Sequence, residues 1–152
     1  MNELSIRQLQ ISAAKAEIRV CEDLNRQHGL TLTEADITEL VELRGQALRN
    51  TGRVEFGGGI MPKLIRAFCS SPYVDRYNYA ATLGDLQDAF YYFKSESGER
   101  FSDDKLIAFM AKVFNGQAHG STEVLCSISL EELCRWARNG FVGGFADEEG
   151  FI

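Results

Sequence analysis

The stretch Asn78-Tyr79-Ala80-Ala81-Thr82-Leu83-Gly84-Asp85-Leu86-Gln87-Asp88-Ala89-Phe90-Tyr91-Tyr92-Phe93-Lys94-Ser95 decides the fold. Tyr79, Leu83, Leu86, Phe90 and Phe93 recur at spacings of 4, 3, 4 and 3. That repeat places side chains on one face of an α-helix and would scatter them over both faces of a strand. A helix over 78–95 with so large an apolar face needs other helices to cover it.

The same periodicity continues on both sides. Downstream, Ser102 with Asp103 and Asp104 opens a helix carrying Leu106, Phe109, Met110, Val113 and Phe114, closed by Gly116. The capping box Ser129-Leu130-Glu131-Glu132 opens another, carrying Leu133, Cys134, Trp136 and Ala137 and ending at Asn139-Gly140. Upstream, Pro62 suits the first turn of a short helix with Leu64, Ile65, Phe68 and Cys69, which breaks at Ser70-Ser71-Pro72. Thr33 caps a helix with the stripe Ile37, Leu40, Val41, Ala47 and Leu48, stopped by Gly52. The first helix, 6–27, has two stripes: Leu9, Ala13, Ala16, Val20 and Leu24, and Ile11, Ala14, Ile18 and Cys21. Together they cover more than half its circumference, so this helix is either central in the bundle or paired with another molecule. A homodimer through the first helix is therefore one expectation. Four short β-like pieces lie between helices: Leu30-Thr31-Leu32, Arg53-Val54-Glu55-Phe56, Arg100-Phe101 and Glu123-Val124-Leu125-Cys126.

The expected architecture is all-α, a single domain of about six helices over 1–140 with very short β pairings between the helix-connecting loops. An acidic and aromatic tail, 141–152, follows. An offset of 69 aligns Gly29, Leu32, Thr33 and Ile37 with Gly98, Phe101, Ser102 and Leu106. This admits an internal duplication, and equally the reuse of the few residue types that cap helices. Paired calcium loops are excluded by the ligands: with Gly98 at the sixth loop position, Phe93 stands where the first carboxylate is needed.

Of 152 residues, 45% are apolar and 25% charged, with two prolines, which excludes a disordered or collagenous chain. No run of 18 apolar residues offers a membrane span, and the first residues lack the blocks of a signal peptide, so no membrane association is expected. The net charge of −6 falls wholly in residues 71–152, while 1–70 carry nine basic and nine acidic residues. That balance argues against direct nucleic-acid binding. Cys21, Cys69, Cys126 and Cys134 form no C-x-x-C pair and have no metal-ligand spacing to His28 or His119, so no metal or cofactor is expected. The cysteines read as small apolar residues of a reducing, cytoplasmic protein.

Three sets of residues are candidates for binding. Gly57, Gly58 and Gly59 lead into the Pro62 helix with Lys63 and Arg66 beside them, the physics of an anion site without the spacing of a phosphate-binding loop. Arg44 lies on the apolar stripe between Leu40 and Val41, so it needs a carboxylate, carbonyls or a bound anion. Tyr73, Tyr77, Tyr91 and Tyr92 around the 78–95 helix, and Phe145 and Phe151 in the tail, are candidate partner contacts. The tyrosines serve equally as ends of the core. No nucleophile with a base and an orienting acid stands out, and Asp103 and Asp104 are sufficiently explained by the helix dipole.

The run Phe56-Gly57-Gly58-Gly59-Ile60-Met61-Pro62-Lys63-Leu64, with Phe101-Ser102-Asp103-Asp104-Lys105-Leu106 and Phe114-Asn115-Gly116, resembles an uncharacterised family of small cytosolic proteins from anaerobic Gram-positive bacteria. The resemblance covers nearly the whole chain. It implies a bacterial, cytosolic setting and carries no activity or functional residues. The functional expectation is a small non-enzymatic interaction module binding a larger bacterial protein. The alternatives are a small-anion or nucleotide binder through the Gly57–Gly59 turn, or an inhibitor of a nucleic-acid enzyme acting through the acidic C-terminal half.

Overall fold

The computed structural model describes residues 3–55 and 59–139, which form an all-α domain. In chain order the helices are α1 (Glu3–Arg19), α2 (Glu22–Gln27), α3 (Glu34–Thr51), α4 (Met61–Phe68), α5 (Tyr79–Glu96), α6 (Asp103–Asn115), α7 (Thr122–Ser127) and α8 (Leu130–Asn139). The central element is α5, packed on α3, α4, α6 and α7. Its buried residues include the whole Tyr79, Leu83, Leu86, Phe90, Phe93 stripe and also Gly84, Gln87, Ala89, Tyr91 and Lys94. Burial on so many sides explains why aromatic residues dominate it. Around it, Leu64, Ile65 and Phe68 of α4, Leu106, Met110 and Phe114 of α6 and Leu133 of α8 complete the core, with Phe68 edge-on to Phe114 at 5.3 Å. Helix α3 packs tightly at Gly84, where an added Cβ would stand 3.0 Å from Leu43 Cδ1. The amide of buried Gln87 donates across the same interface to the Leu40 carbonyl.

The caps behave as their residue types dictate. Thr33 Oγ1 accepts from the Asp36 amide at 3.0 Å while the Asp36 carboxylate accepts from the Thr33 amide. Ser102 and Ser129 accept from Lys105 and Glu132 in the same way, and Gly52 ends α3 with φ of 68°. Gly29 and Gly98 precede the Thr33 and Ser102 caps with φ of 72° and 60°. Beyond these local units the halves pack differently: α6 lies on α8, whereas the main partner of α3 is α5.

Three expectations are corrected. The helix expected over 6–27 is interrupted at Val20 and Cys21, where the Cys21 amide turns to the Ile18 carbonyl, three residues back. Among its described side chains Ala14, Ile18, Cys21 and Asn25 are buried, and Leu9, Ala13, Ala16 and Val20 face outward. The β-like piece 123–126 belongs to α7, nucleated by Ser121 Oγ accepting from the Val124 amide at 3.1 Å. Finally, no strand pairing is present among the described residues. The amides of Leu30, Arg53 and Arg100 close helix ends instead, on the carbonyls of Asn25, Leu48 and Ser97. The tail 141–152 lies outside the described residues.

Because Phe90 is fully buried at the centre of the bundle, Phe90→Ala is expected to cost about 3–5 kcal/mol in urea unfolding. Trp136, half-buried at the edge, should cost less when cut to Ala. Equal losses at the two sites would show that α5 is not the centre.

Candidate functional site

The most concentrated polar chemistry grows out of the end of α3. Gly52 turns the chain back in the left-handed conformation, and the next residues alternate: Arg53 and Glu55 lie partly buried while Val54 is exposed. This brings Glu55 to Arg44, which is only 9% exposed. Arg44 Nη2 donates to Glu55 Oε1 at 3.2 Å, the Tyr91 hydroxyl donates to the same oxygen at 2.6 Å, and Arg53 Nε donates to Oε2 at 2.8 Å. Arg53 also pairs with Glu99 beyond the end of α5. One turn along α5, buried Lys94 pairs with Asp103 at 2.7 Å and donates to the Phe101 carbonyl at 2.6 Å. Burial, and then the bond to Glu55 and the charge of that carboxylate, push the Tyr91 phenol well above the ordinary tyrosine range.

Above this network two cavities of about 440 and 470 Å³ adjoin, sharing Thr51, Tyr91 and Ser95. They form one cleft along the C-terminal halves of α3 and α5. One end is lined by Gly52, Arg53, Lys94, Gly98 and Glu99. Two helix C-termini meet there, and the two cations offset their partial negative charge. The other end is lined by Leu43, Gln46, Ala47, Asn50, Asp88 and Tyr92. Asp88 has no hydrogen-bond or ion-pair partner among the described residues. Burial first, and the neighbouring Asp85 second, raise its carboxyl above the usual range. Tyr92 is 39% exposed one helical turn away. Gln46 Nε2 donates to Asn50 Oδ1 on the opposite wall at 3.2 Å. Chemically this is a set of acceptors and an aromatic face, suited to holding a cation. Nearby, burial and the charges of Asp85 and Asp88 push the Cys126 thiol up to about 11, which makes it a poor nucleophile. No group of metal-ligating side chains occurs among the described residues.

The residues singled out from the sequence fall in several places. Arg44 and Gly59 come together: Gly59 has φ of 71°, and a Cβ there would stand 2.6 Å from Arg44 Nε, so the guanidinium approaches a backbone that only glycine leaves open. Gly57 and Gly58 lie outside the described residues. Lys63 and Arg66 line a different groove, between α4 and α6, where Lys63 pairs with Asp104 at 2.7 Å. Tyr77 is exposed and Tyr73 rests edge-on against Phe114 at 6.2 Å. Tyr91 is corrected as a partner contact: it is 1% exposed, because α5 is covered on that side too. Phe145 and Phe151 lie outside the described residues. Sequence reasoning passed over Glu55 and Asp88. The available signals were an inward-facing arginine that demanded an acid, and an acid one turn before a tyrosine.

Two outcomes follow from this geometry. Glu55→Gln removes the carboxylate that pairs with buried Arg44 and is expected to cost about 3–5 kcal/mol by urea unfolding, part of it recovered when Arg44→Met is added. Two buried tyrosines contribute to the alkaline limb of stability, together with the four cysteines, whose thiols burial also raises. Burial, reinforced by the charges of Cys69 and Cys21, also raises the Tyr79 phenol, so the folded state holds both protons after unfolded tyrosines, with a pKa of about 10, have lost theirs. Their stabilisation is present below about pH 10 and is lost as the pH climbs above it. Tyr91→Phe should flatten that fall in unfolding curves taken between about pH 9 and 11; an unchanged slope would remove Tyr91 from this role.

No curated protein and no solved structure matches the chain. A family model does match, over residues 17–143, which takes in α2 to α8, the Glu55 network and the whole cleft. The chain belongs to that family, a family of unknown function designated DUF6323.

Proposed function

We propose that the protein is a small non-enzymatic interaction module of the bacterial cytoplasm, and that it holds a basic side chain of a larger protein in the α3–α5 cleft. The observation that carries this reading is Asp88, a partly desolvated carboxylate with no partner among the described residues, one helical turn from the exposed face of Tyr92. A guanidinium entering there stacks on the Tyr92 ring, donates to Asp88 and the side-chain oxygens of Gln46 and Asn50, and lays its stem along Leu43 and Ala47. It also supplies the positive charge that Asp85 and Asp88 together lack.

Two features weigh against the small-anion alternative. Lys63 is engaged by Asp104 and Arg44 by Glu55, so an anion would have to displace a carboxylate from each. An inhibitor of a nucleic-acid enzyme would use the same acidic side of α5, and differs from the favoured reading in the identity of the captured protein.

The test is affinity co-purification from the native cell with wild type, Asp88→Asn and Tyr92→Ala, both residues being exposed enough to leave the fold intact. The wild type should retain a partner that is released as salt rises from about 0.15 to 0.5 M, the range in which exposed charge pairs are screened. Each variant should weaken retention at least tenfold. Retention unchanged by both substitutions would move the contact away from the cleft, and a rise in melting temperature with phosphate or a nucleotide would favour the anion reading.

A further inference from the structure

Where α8 ends against the start of α6, positive charge gathers without an acid to answer it. Arg100 lies 5.7 Å over the Phe101 ring, Phe101 meets Phe109 at 5.7 Å, and Lys105 lies 5.9 Å over Phe109. Two cations and two rings thus form one row. Helix α8 packs on α6, and Arg138 in its last turn joins the row around Cys134. Burial raises the Cys134 thiol, and the charges of Arg138, Arg100 and Lys105 act to lower it again. None of these three cations has an acidic partner among the described residues. The acids nearest to them are already engaged: Asp103 by Lys94, Asp104 by Lys63, Glu99 by Arg53 and Glu132 by Arg135.

We infer that this basic row is the docking site of the chain's own acidic tail, which binds it through Asp147, Glu148 and Glu149. Residues 141–152 carry those three acids and no basic residue, so three negative charges meet three positive ones. The point of attachment agrees. Asp147 is eight residues beyond Asn139, where α8 ends, a reach of at most about 26–29 Å. Cys134 is five residues back along α8, about 7.5 Å at the helical rise. The acids therefore reach the row with chain to spare for a reversal, and Gly143-Gly144 stands where that reversal falls. Phe145, two residues before Asp147, adds an apolar contact to the edge of half-buried Phe101. Exposed charge pairs are individually weak. A short tether holds the acids at a local concentration of about a millimolar, so at micromolar protein a second copy competes poorly with the chain's own tail. The contact is independent of the α3–α5 cleft.

Carbodiimide, which joins a lysine amine to a touching carboxylate with loss of water, reads this directly on the full chain at about 10 μM. The monomeric product should link Lys105 to Asp147, Glu148 or Glu149 well above any link of those acids to Lys15 or Lys63. Salt at about 0.5 M should suppress the link. Arg100→Gln with Arg138→Gln should lower it about fivefold, two of three exposed pairs being lost. If that variant fails to fold, Asp147→Lys, Glu148→Lys and Glu149→Lys together leave the helices untouched. Maleimide should then modify Cys134, followed by peptide mass, faster than in the wild type. Tail acids linked no more to Lys105 than to Lys15 and Lys63, links found only between two chains, or Cys134 modified at the same rate after reversal of the tail charges would each overturn the proposal.

Discussion

The Glu55 carboxylate, reached by two guanidinium groups and a phenol, is the constraint on which the rest of this structure depends. Arg44 is carried inward by α3, Tyr91 by α5, and Arg53 by the turn that leaves α3. The shared acid offsets the burial of the two guanidinium groups, because an ion moved out of water costs several kcal/mol unless another charge and hydrogen bonds replace the lost hydration, and it gives the buried phenol an acceptor. The arrangement therefore fixes three things together: how far α3 sits from α5, where the chain goes after Gly52, and why position 59 must be glycine. Lys94 repeats the principle one turn further along α5, joining it to the start of α6 through Asp103 and the Phe101 carbonyl. Seen this way, the cleft above the network has a rigid floor, and its open end at Asp88 and Tyr92 is the part left to recognition.

Helix type and extent were legible wherever periodicity and a cap agreed. Thr33 and Gly52 bound α3, Ser102 opens α6, and the Ser129–Glu132 box opens α8, because these residues satisfy helix-end groups by local chemistry alone. The division at Cys21 was not legible, since the Ala14, Ile18, Cys21, Asn25 face keeps its period straight through the break. Nor was α7: Glu123-Val124-Leu125-Cys126 alternates like a strand, and only the Ser121 hydroxyl bonding three residues ahead commits it to a helix.

The site was half visible. An arginine on an apolar stripe announces that it needs a partner, and Arg44 has one, but the partner's identity depends on how the Gly52 turn folds back, which is a tertiary fact. Tyr91 misled for the opposite reason. It lies beside the 4-3-4-3 stripe, and in a helix covered on one face it would be exposed. Here α3 covers that side as well, and the burial of Gly84, Gln87 and Lys94 shows how far around α5 the contact extends. Asp88 and Tyr92 escape this enclosure by one step of the helix.

The unequal wrapping of helices has a consequence for how stability is distributed along the chain. Helix α5 is enclosed by four others, so its amides can meet solvent only when the domain opens as a whole. Among its described side chains, helix α1 is held through one narrow face. Its anchors, Ala14, Ile18 and Cys21, include two of the smaller apolar side chains, and little apolar area is lost when it lifts away. Local openings are therefore graded, from an inner unit that resists amide exchange to an outer helix that yields to it first.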